Sequence, residues 1–166
     1  KCHEADRHVD VVLVLDRSTS MLRPAADGSL PKNKASIDAA RTLVGILRMD
    51  LDADPDPDPD PNGEVDRVAI VGFNDLAWTE EPLTGDRARA MSALERLETK
   101  TAEGTRLDLA LDEGRAALDA GPILPDRLAV LVLLTDGLPN RVPTPAAVNW
   151  STNCRTPGGP ARRRPR

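Results

Sequence analysis

Apolar residues gather in three short runs along this chain. Residues 9–15 read VDVVLVL, residues 68–73 read VAIVGF and residues 128–134 read LAVLVLL. Runs of β-branched and aliphatic residues without polar alternation predict strands buried on both faces, as in a parallel sheet covered by helices. Between them the period changes. From Asn33, positions Ile37, Ala40, Val44, Leu47 and Leu51 step by three and four and predict one apolar helix stripe. Residues 84–97 continue in that style with Met91, Leu94 and Leu97, and Leu107, Leu111, Gly114 and Leu118 mark a third helix. Residues 76–81 predict a short strand returning antiparallel after an Asn74-Asp75 turn. Strands alternating with helices predict an α/β fold with a Rossmann-like open, mostly parallel sheet flanked by helices. Ligands of such sheets bind at the carboxyl ends of the strands, so the loops after Leu15 and Leu134 are where chemistry is expected.

Two segments fall outside this pattern. Residues 52–63 (DADPDPDPDPNG) alternate Asp with Pro. Pro removes backbone donors and pushes each preceding residue to extended conformations, so this insert cannot be helical and reads as a stiff, solvated spacer. Residues 141–166 form an irregular Pro/Gly/Arg-rich tail, and four of its last five residues are arginine. The expected organisation is one domain over residues 8–140, interrupted by the insert, followed by that tail.

Composition narrows the function. The 166 residues carry 22 Lys+Arg and 27 Asp+Glu, a net charge of −5. Eight of the acidic residues lie in 50–66, where there is no basic residue, so most of the acidity is local. There is no Tyr, one Phe and two Trp. An acidic chain with almost no aromatics lacks both the basic face and the stacking surface that nucleic-acid binding needs. No stretch is long and apolar enough to span a membrane. Cys2 and Cys154 lie near the two ends and read either as a disulfide or as two free thiols; a disulfide would imply an oxidising compartment. Neither cysteine has a second Cys or His at metal-ligand spacing, and His3 and His8 read as solvated.

The chemistry lies in the strand-end loops. Asp16, Ser18 and Ser20 follow the first strand at alternate positions, Asp136 follows the last strand in Thr135-Asp136-Gly137, and Thr105 sits in Glu103-Gly104-Thr105 at the start of the third helix. Hydroxyl and carboxylate oxygens converging without thiolate or imidazole make a site for a hard cation. Taken singly, each residue is also an ordinary turn or cap residue.

The pattern D-x-S-x-S-M, a Gly-Thr about 85 residues on, and T-D-G after a second aliphatic strand resemble the von Willebrand factor type A domain and its metal ion-dependent adhesion site. The phrases VGFND, PLTGDR and VLLTDGLPN resemble bacterial members of that family. The resemblance covers about residues 8–140. It implies that Ser18 and Ser20 are direct metal ligands, Thr105 a third, and that Asp16 and Asp136 act mostly through water. It implies Mg²⁺ or Mn²⁺ as the metal. Neutral hydroxyl ligands leave most of the positive charge on the ion, which then attracts a carboxylate from a protein partner; two direct Asp ligands would quench that pull. The implied activity is adhesion or protein binding, not catalysis, in a secreted or cell-envelope protein. Arg17 and Thr19 occupy variable positions of the motif, and Thr19 stands where a small residue is more usual.

Other readings remain open. The domain reads alternatively as a regulatory arm of a multi-subunit enzyme, associated with a chelatase or protease, or as a non-functional gene fragment. Asp16 as a phosphotransfer nucleophile lacks a second Asp two residues on and a clear partner Lys. Asp58, Asp60, Asn62, Gly63 and Asp66 resemble the front of a calcium-binding loop, a weak Ca²⁺ site, but Ala69 stands where that loop requires Glu. Only 30 residues follow Asp136 and nine of them are Pro or Gly, where the family continues with further strand–helix units. The domain therefore reads as C-terminally truncated. That reading makes residues 128–134 a sheet edge and predicts marginal stability or self-association through it.

Overall fold

The computed structural model describes residues 8–25, 28, 30–49, 65–121 and 127–137. Cys2, Cys154, the Asp-Pro insert and the Arg-rich tail lie outside them. Four strands, β1 (Val9–Asp16), β2 (Arg67–Phe73), β3 (Ala77–Thr84) and β4 (Leu128–Leu134), form one sheet in the order β3-β2-β1-β4. β1 pairs in parallel with β2 and β4, and β3 returns antiparallel to β2. The helices are α1 (Lys32–Ile46), α2 (Arg87–Glu98) and α3 (Leu107–Asp119).

The two-residue period of the strands divides the core into two layers. Val11, Leu13 and Leu15 of β1 and Val68 and Ile70 of β2 pack with Ile37 and Val44 of α1 and Leu94 and Leu97 of α2. Val12 and Val14, with Ala69, Val71 and Phe73, face α3 through Ala110 and Ala117. Burying each Leu or Ile of these layers contributes about 1.5–3 kcal/mol. β1 and β2 are covered on both faces as expected from their uniform composition, but β4 is not. As the outer strand among the described residues, it leaves Leu128 58% exposed.

Element boundaries differ from the sequence reading for local reasons. β3 runs to Thr84, through Pro82, because an outer strand tolerates a missing N–H and the pairing with β2 is shifted there. α2 accordingly starts at Arg87, with Asp86 capping the amides of Ala88 and Arg89. α1 stops at Ile46, where Arg87 donates to the carbonyls of Val44 and Leu47. In α3 the buried stripe is Ala110, Gly114 and Ala117, and Leu111 is 45% exposed. Small residues win this face because the helix lies close on the sheet: a Cβ at Gly114 would meet Leu131 Cδ1 at 2.8 Å and Val14 Cγ2 at 2.9 Å.

At the amino ends of the strands, Asp10 is gripped by Arg67 (2.8 and 2.7 Å) and by Arg127 Nε (2.9 Å). Asp66 takes the backbone amides of Val9 (3.0 Å) and Arg48 (2.8 Å). Its two oxygens thus serve the fold; Asp58, Asp60, Asn62 and Gly63 of the calcium-loop reading lie outside the described residues. His8 is not solvated: its Nδ1 lies 3.4 Å from Asp66 Oδ1 and its side chain is one-fifth exposed.

Candidate metal centre

Strand order decides where a ligand can bind. The chain leaves β1 towards β2 on one side and later enters β4 on the other, so the loops at the carboxyl ends of β1 and β4 diverge around a crevice. Asp16, Ser18, Ser20 and Asp136 sit there. Asp16 is buried at the end of β1; its Oδ1 accepts the Ser18 amide at 2.8 Å and its Oδ2 accepts the Thr135 hydroxyl at 2.6 Å. This carboxylate ties the two loops together. Ser18 then starts a short 3₁₀ turn, Thr19–Leu22, that turns the next serine back towards it. The Ser18 and Ser20 hydroxyl oxygens lie 2.9 Å apart, and Ser20 Oγ donates to Asp136 Oδ1 at 2.9 Å.

Thr105 is buried in the adjacent loop. That loop is held by backbone bonds from Thr19 N to the Ala102 carbonyl, from Ala102 N to the Arg17 carbonyl (both 3.1 Å), and from Arg106 N to the Asn74 carbonyl (2.8 Å). Thr105 does not open α3, whose first flanking residue is Arg106. Gly104 precedes it with φ +98° and lies against Asp75, where a Cβ would meet Asp75 Cβ at 2.7 Å and Cα at 2.9 Å. Only glycine satisfies both demands.

The donor set fits a small hard cation. In an octahedron with metal–oxygen distances of roughly 2.0–2.1 Å, neighbouring oxygens stand about 2.9 Å apart. The Ser18–Ser20 separation equals that edge, which is also an ordinary hydrogen-bond length, and Asp136 stands behind Ser20 as its hydrogen-bond acceptor. Among the described residues no group of three or more His, Cys, Asp or Glu side chains is placed to hold a metal. Burial pushes the Asp136 carboxyl up, but the Lys32 ammonium and the Ser20 hydroxyl outweigh it and hold the group below the usual carboxylate range. Asp136 is therefore ionised at neutral pH.

Two residues escaped the sequence reading. Lys32 reaches Asp136 Oδ2 at 2.6 Å. It also lines a cleft of about 280 Å³ beside the oxygen cluster, with Met21, Ala35, Leu133 and Asp136. A lysine at the first position of a helix, where the macrodipole disfavours cations, was the available signal. Arg17, at a variable motif position, is fully buried and donates to the carbonyls of Lys100 (3.2 Å) and Glu98 (2.7 Å). It closes the end of α2 and anchors the Ser18 loop to it. Burial pulls this guanidinium below its usual range, opposed by the charges of Glu98 and Asp16.

A family model for the von Willebrand factor type A domain matches residues 11–138. The chain is similar to the vWF domain of the type V pili tip protein Mfa5 from Porphyromonas gingivalis, with 21% identity and a TM-score of 0.60 over 80% of this chain and 39% of that one. It is similar to the conserved hypothetical protein BatB from Bacteroides thetaiotaomicron, with 23% identity and a TM-score of 0.54 over 75% of this chain and 52% of that one. It is also similar to proximal thread matrix protein 1 of the mussel byssus, solved with a zinc-occupied MIDAS motif. There the identity is 21% and the TM-score 0.58, over 81% of this chain and 30% of that one. At such identities the likeness carries the fold, and this chain spans little more than half of the longest-covered relative and less of the others. No curated protein sequence matches the chain.

Proposed function

The chain belongs to the von Willebrand factor type A domain family, and we propose that it is a metal-dependent protein-binding module that recognises an acidic residue of a partner. The observation that carries this reading is the meeting of Ser18, Ser20 and Asp136. Oxygens from loops 116 residues apart in sequence lie 2.9 Å from one another at the carboxyl ends of β1 and β4. In this reading Ser18, Ser20 and Thr105 hold the divalent ion directly. Asp16 and Asp136 orient the hydroxyls and balance charge from a second layer. The ion is Mg²⁺ or Mn²⁺, and when bound it supplies an electrophilic position for a carboxylate oxygen. The protein's part is to keep its direct ligands neutral and to fix them before the partner arrives, with Asp16 engaged by Ser18 N and Thr135 rather than free to coordinate.

Recognition of this kind needs no nucleophile or proton shuttle, so the module is not an enzyme in its own right. Pilus-tip and matrix relatives support a cell-envelope or extracellular setting. No described helix is long and apolar enough to cross a membrane. Among the described residues β4 is the outer strand of the sheet, which supports association between copies of the domain. A direct test displays Asp- and Glu-containing peptides with their Asn and Gln counterparts and measures capture in Mg²⁺ and in EDTA. Capture is expected only for the acidic peptides and only with Mg²⁺, and Asp16→Ala and Ser18→Ala should abolish it. Capture that survives EDTA or prefers the amide peptides would refute the proposal.

A further inference from the structure

Lys32 stands where helix formation alone would not put it. It is the first residue of α1, at the positive end of the helix dipole, behind Pro31, which provides no side-chain cap, and no acidic residue lies in the first turn. Its ammonium instead crosses to the carboxyl end of β4 and meets Asp136 Oδ2 at 2.6 Å, while the other oxygen of Asp136 takes the Ser20 hydroxyl. Both oxygens of this carboxylate are thus engaged, one by the serine of the candidate metal site and one by the Lys32 ammonium. Lys32 is one-third exposed and Asp136 one-tenth, so the pair sits at the mouth of the site. The adjoining cleft, open past Met21 and Ala35, gives the lysine stem room to swing away.

We infer that Lys32 is a tethered counter-ion that competes with the divalent cation for Asp136 and so sets the metal affinity of the site. This rests on the metal reading above. A divalent ion seated on Ser18 and Ser20 would bring two positive charges close to an ammonium already bonded to Asp136. Coulomb repulsion at such range opposes loading unless the lysine withdraws. A flexible single-point ammonium can withdraw, whereas the rigid fork of an arginine is harder to dislodge. Without metal, the same ammonium neutralises Asp136, whose side chain is only about one-tenth exposed. One residue therefore stabilises the unloaded fold and weakens loading.

The opposite signs of these two effects give the test. Mn²⁺ is titrated by calorimetry into the full chain and into Lys32→Met, and thermal melts are recorded in EDTA and in saturating Mn²⁺. Lys32→Met is expected to bind Mn²⁺ about tenfold more tightly than wild type, melt lower in EDTA and gain more from Mn²⁺. Lys32→Gln keeps the length and polarity of the stem and should behave alike if Met disturbs the helix start. Lys34→Met, which removes an exposed charge on the same turn, should match wild type and so separate the ion pair from general charge. Lys32 variants no tighter than a metal-binding wild type overturn the inference. Absence of Mn²⁺ binding in every variant overturns the metal reading and this inference with it.

Discussion

Replacing Gly104 by alanine tests whether the loop carrying Thr105 is built as tightly as its geometry indicates. Gly104 has φ +98°, and a Cβ there would lie 2.9 Å from the Asp75 Cα and 2.7 Å from its Cβ. A left-handed backbone costs a non-glycine residue roughly 1–2 kcal/mol. Forcing a methyl against backbone adds about 1–3 kcal/mol, partly relieved by movement. The expected loss is therefore about 2–4 kcal/mol, a large share of the total stability of roughly 5–15 kcal/mol usual for a domain. With a urea m-value of about 2 kcal/mol/M, the midpoint should fall by about 1–2 M. Gly45→Ala is the control. That glycine lies in the last turn of α1 with nothing within 4 Å of an added Cβ, and alanine should stabilise it by up to about 1 kcal/mol. Gly104→Ala should also weaken divalent-metal binding, because relief of the clash moves the backbone next to Thr105, while Gly45→Ala should not. A Gly104→Ala midpoint matching wild type would refute the strain argument, and unchanged metal binding would refute the coupling to Thr105.

Three further outcomes follow. Arg17→Met leaves the Glu98 and Lys100 carbonyls without their charged donor and should lower stability by about 1–3 kcal/mol in urea titration; a loss too small to resolve would show that the α2 end is closed by other means. Burial alone would raise the Asp10 pKa, but Arg67 and Arg127 outweigh it and depress it, so the stabilisation is complete above the unfolded value near pH 4. It is lost as pH falls through the folded value. Asp10→Asn should melt lower than wild type at pH 7, with the gap closing below about pH 4; a pH-independent gap would contradict this assignment. Sedimentation should show concentration-dependent association through β4, the outer strand among the described residues, reduced by a lysine at the exposed Leu128 or Ala129; a monomer at all concentrations would remove that surface from the account.

Most of the fold was legible because β1 and β2 are so uniformly apolar that only a doubly covered sheet accommodates them. The spacing of Asp16, Ser18 and Ser20 was legible for a related reason: a loop directly after a buried strand has few ways to turn. Long-range geometry was less visible. Leu111 matched the helical period of α3, yet close packing on Leu131 and Val14 turned Ala110 and Ala117 inward instead. Pro82 reads as a strand breaker in isolation and is harmless on an outer strand. Arg17 looked like a free variable position because nothing near it in sequence reveals the helix end, 81 residues away, that its guanidinium closes. Lys32 was hidden in the same way, its partner lying 104 residues downstream.

The central claim is that the Ser18 and Ser20 hydroxyls, oriented by Asp16 and Asp136, hold a divalent cation. Calorimetric titration of Mg²⁺ and Mn²⁺ into the wild-type chain and into the Ser18→Ala/Ser20→Ala double variant tests it most directly. The account predicts binding of one ion per wild-type chain and at least a tenfold loss of affinity in the double variant, with the melting temperature in EDTA little changed. Equal binding by the two proteins, or no metal-dependent heat in the wild type, would contradict it.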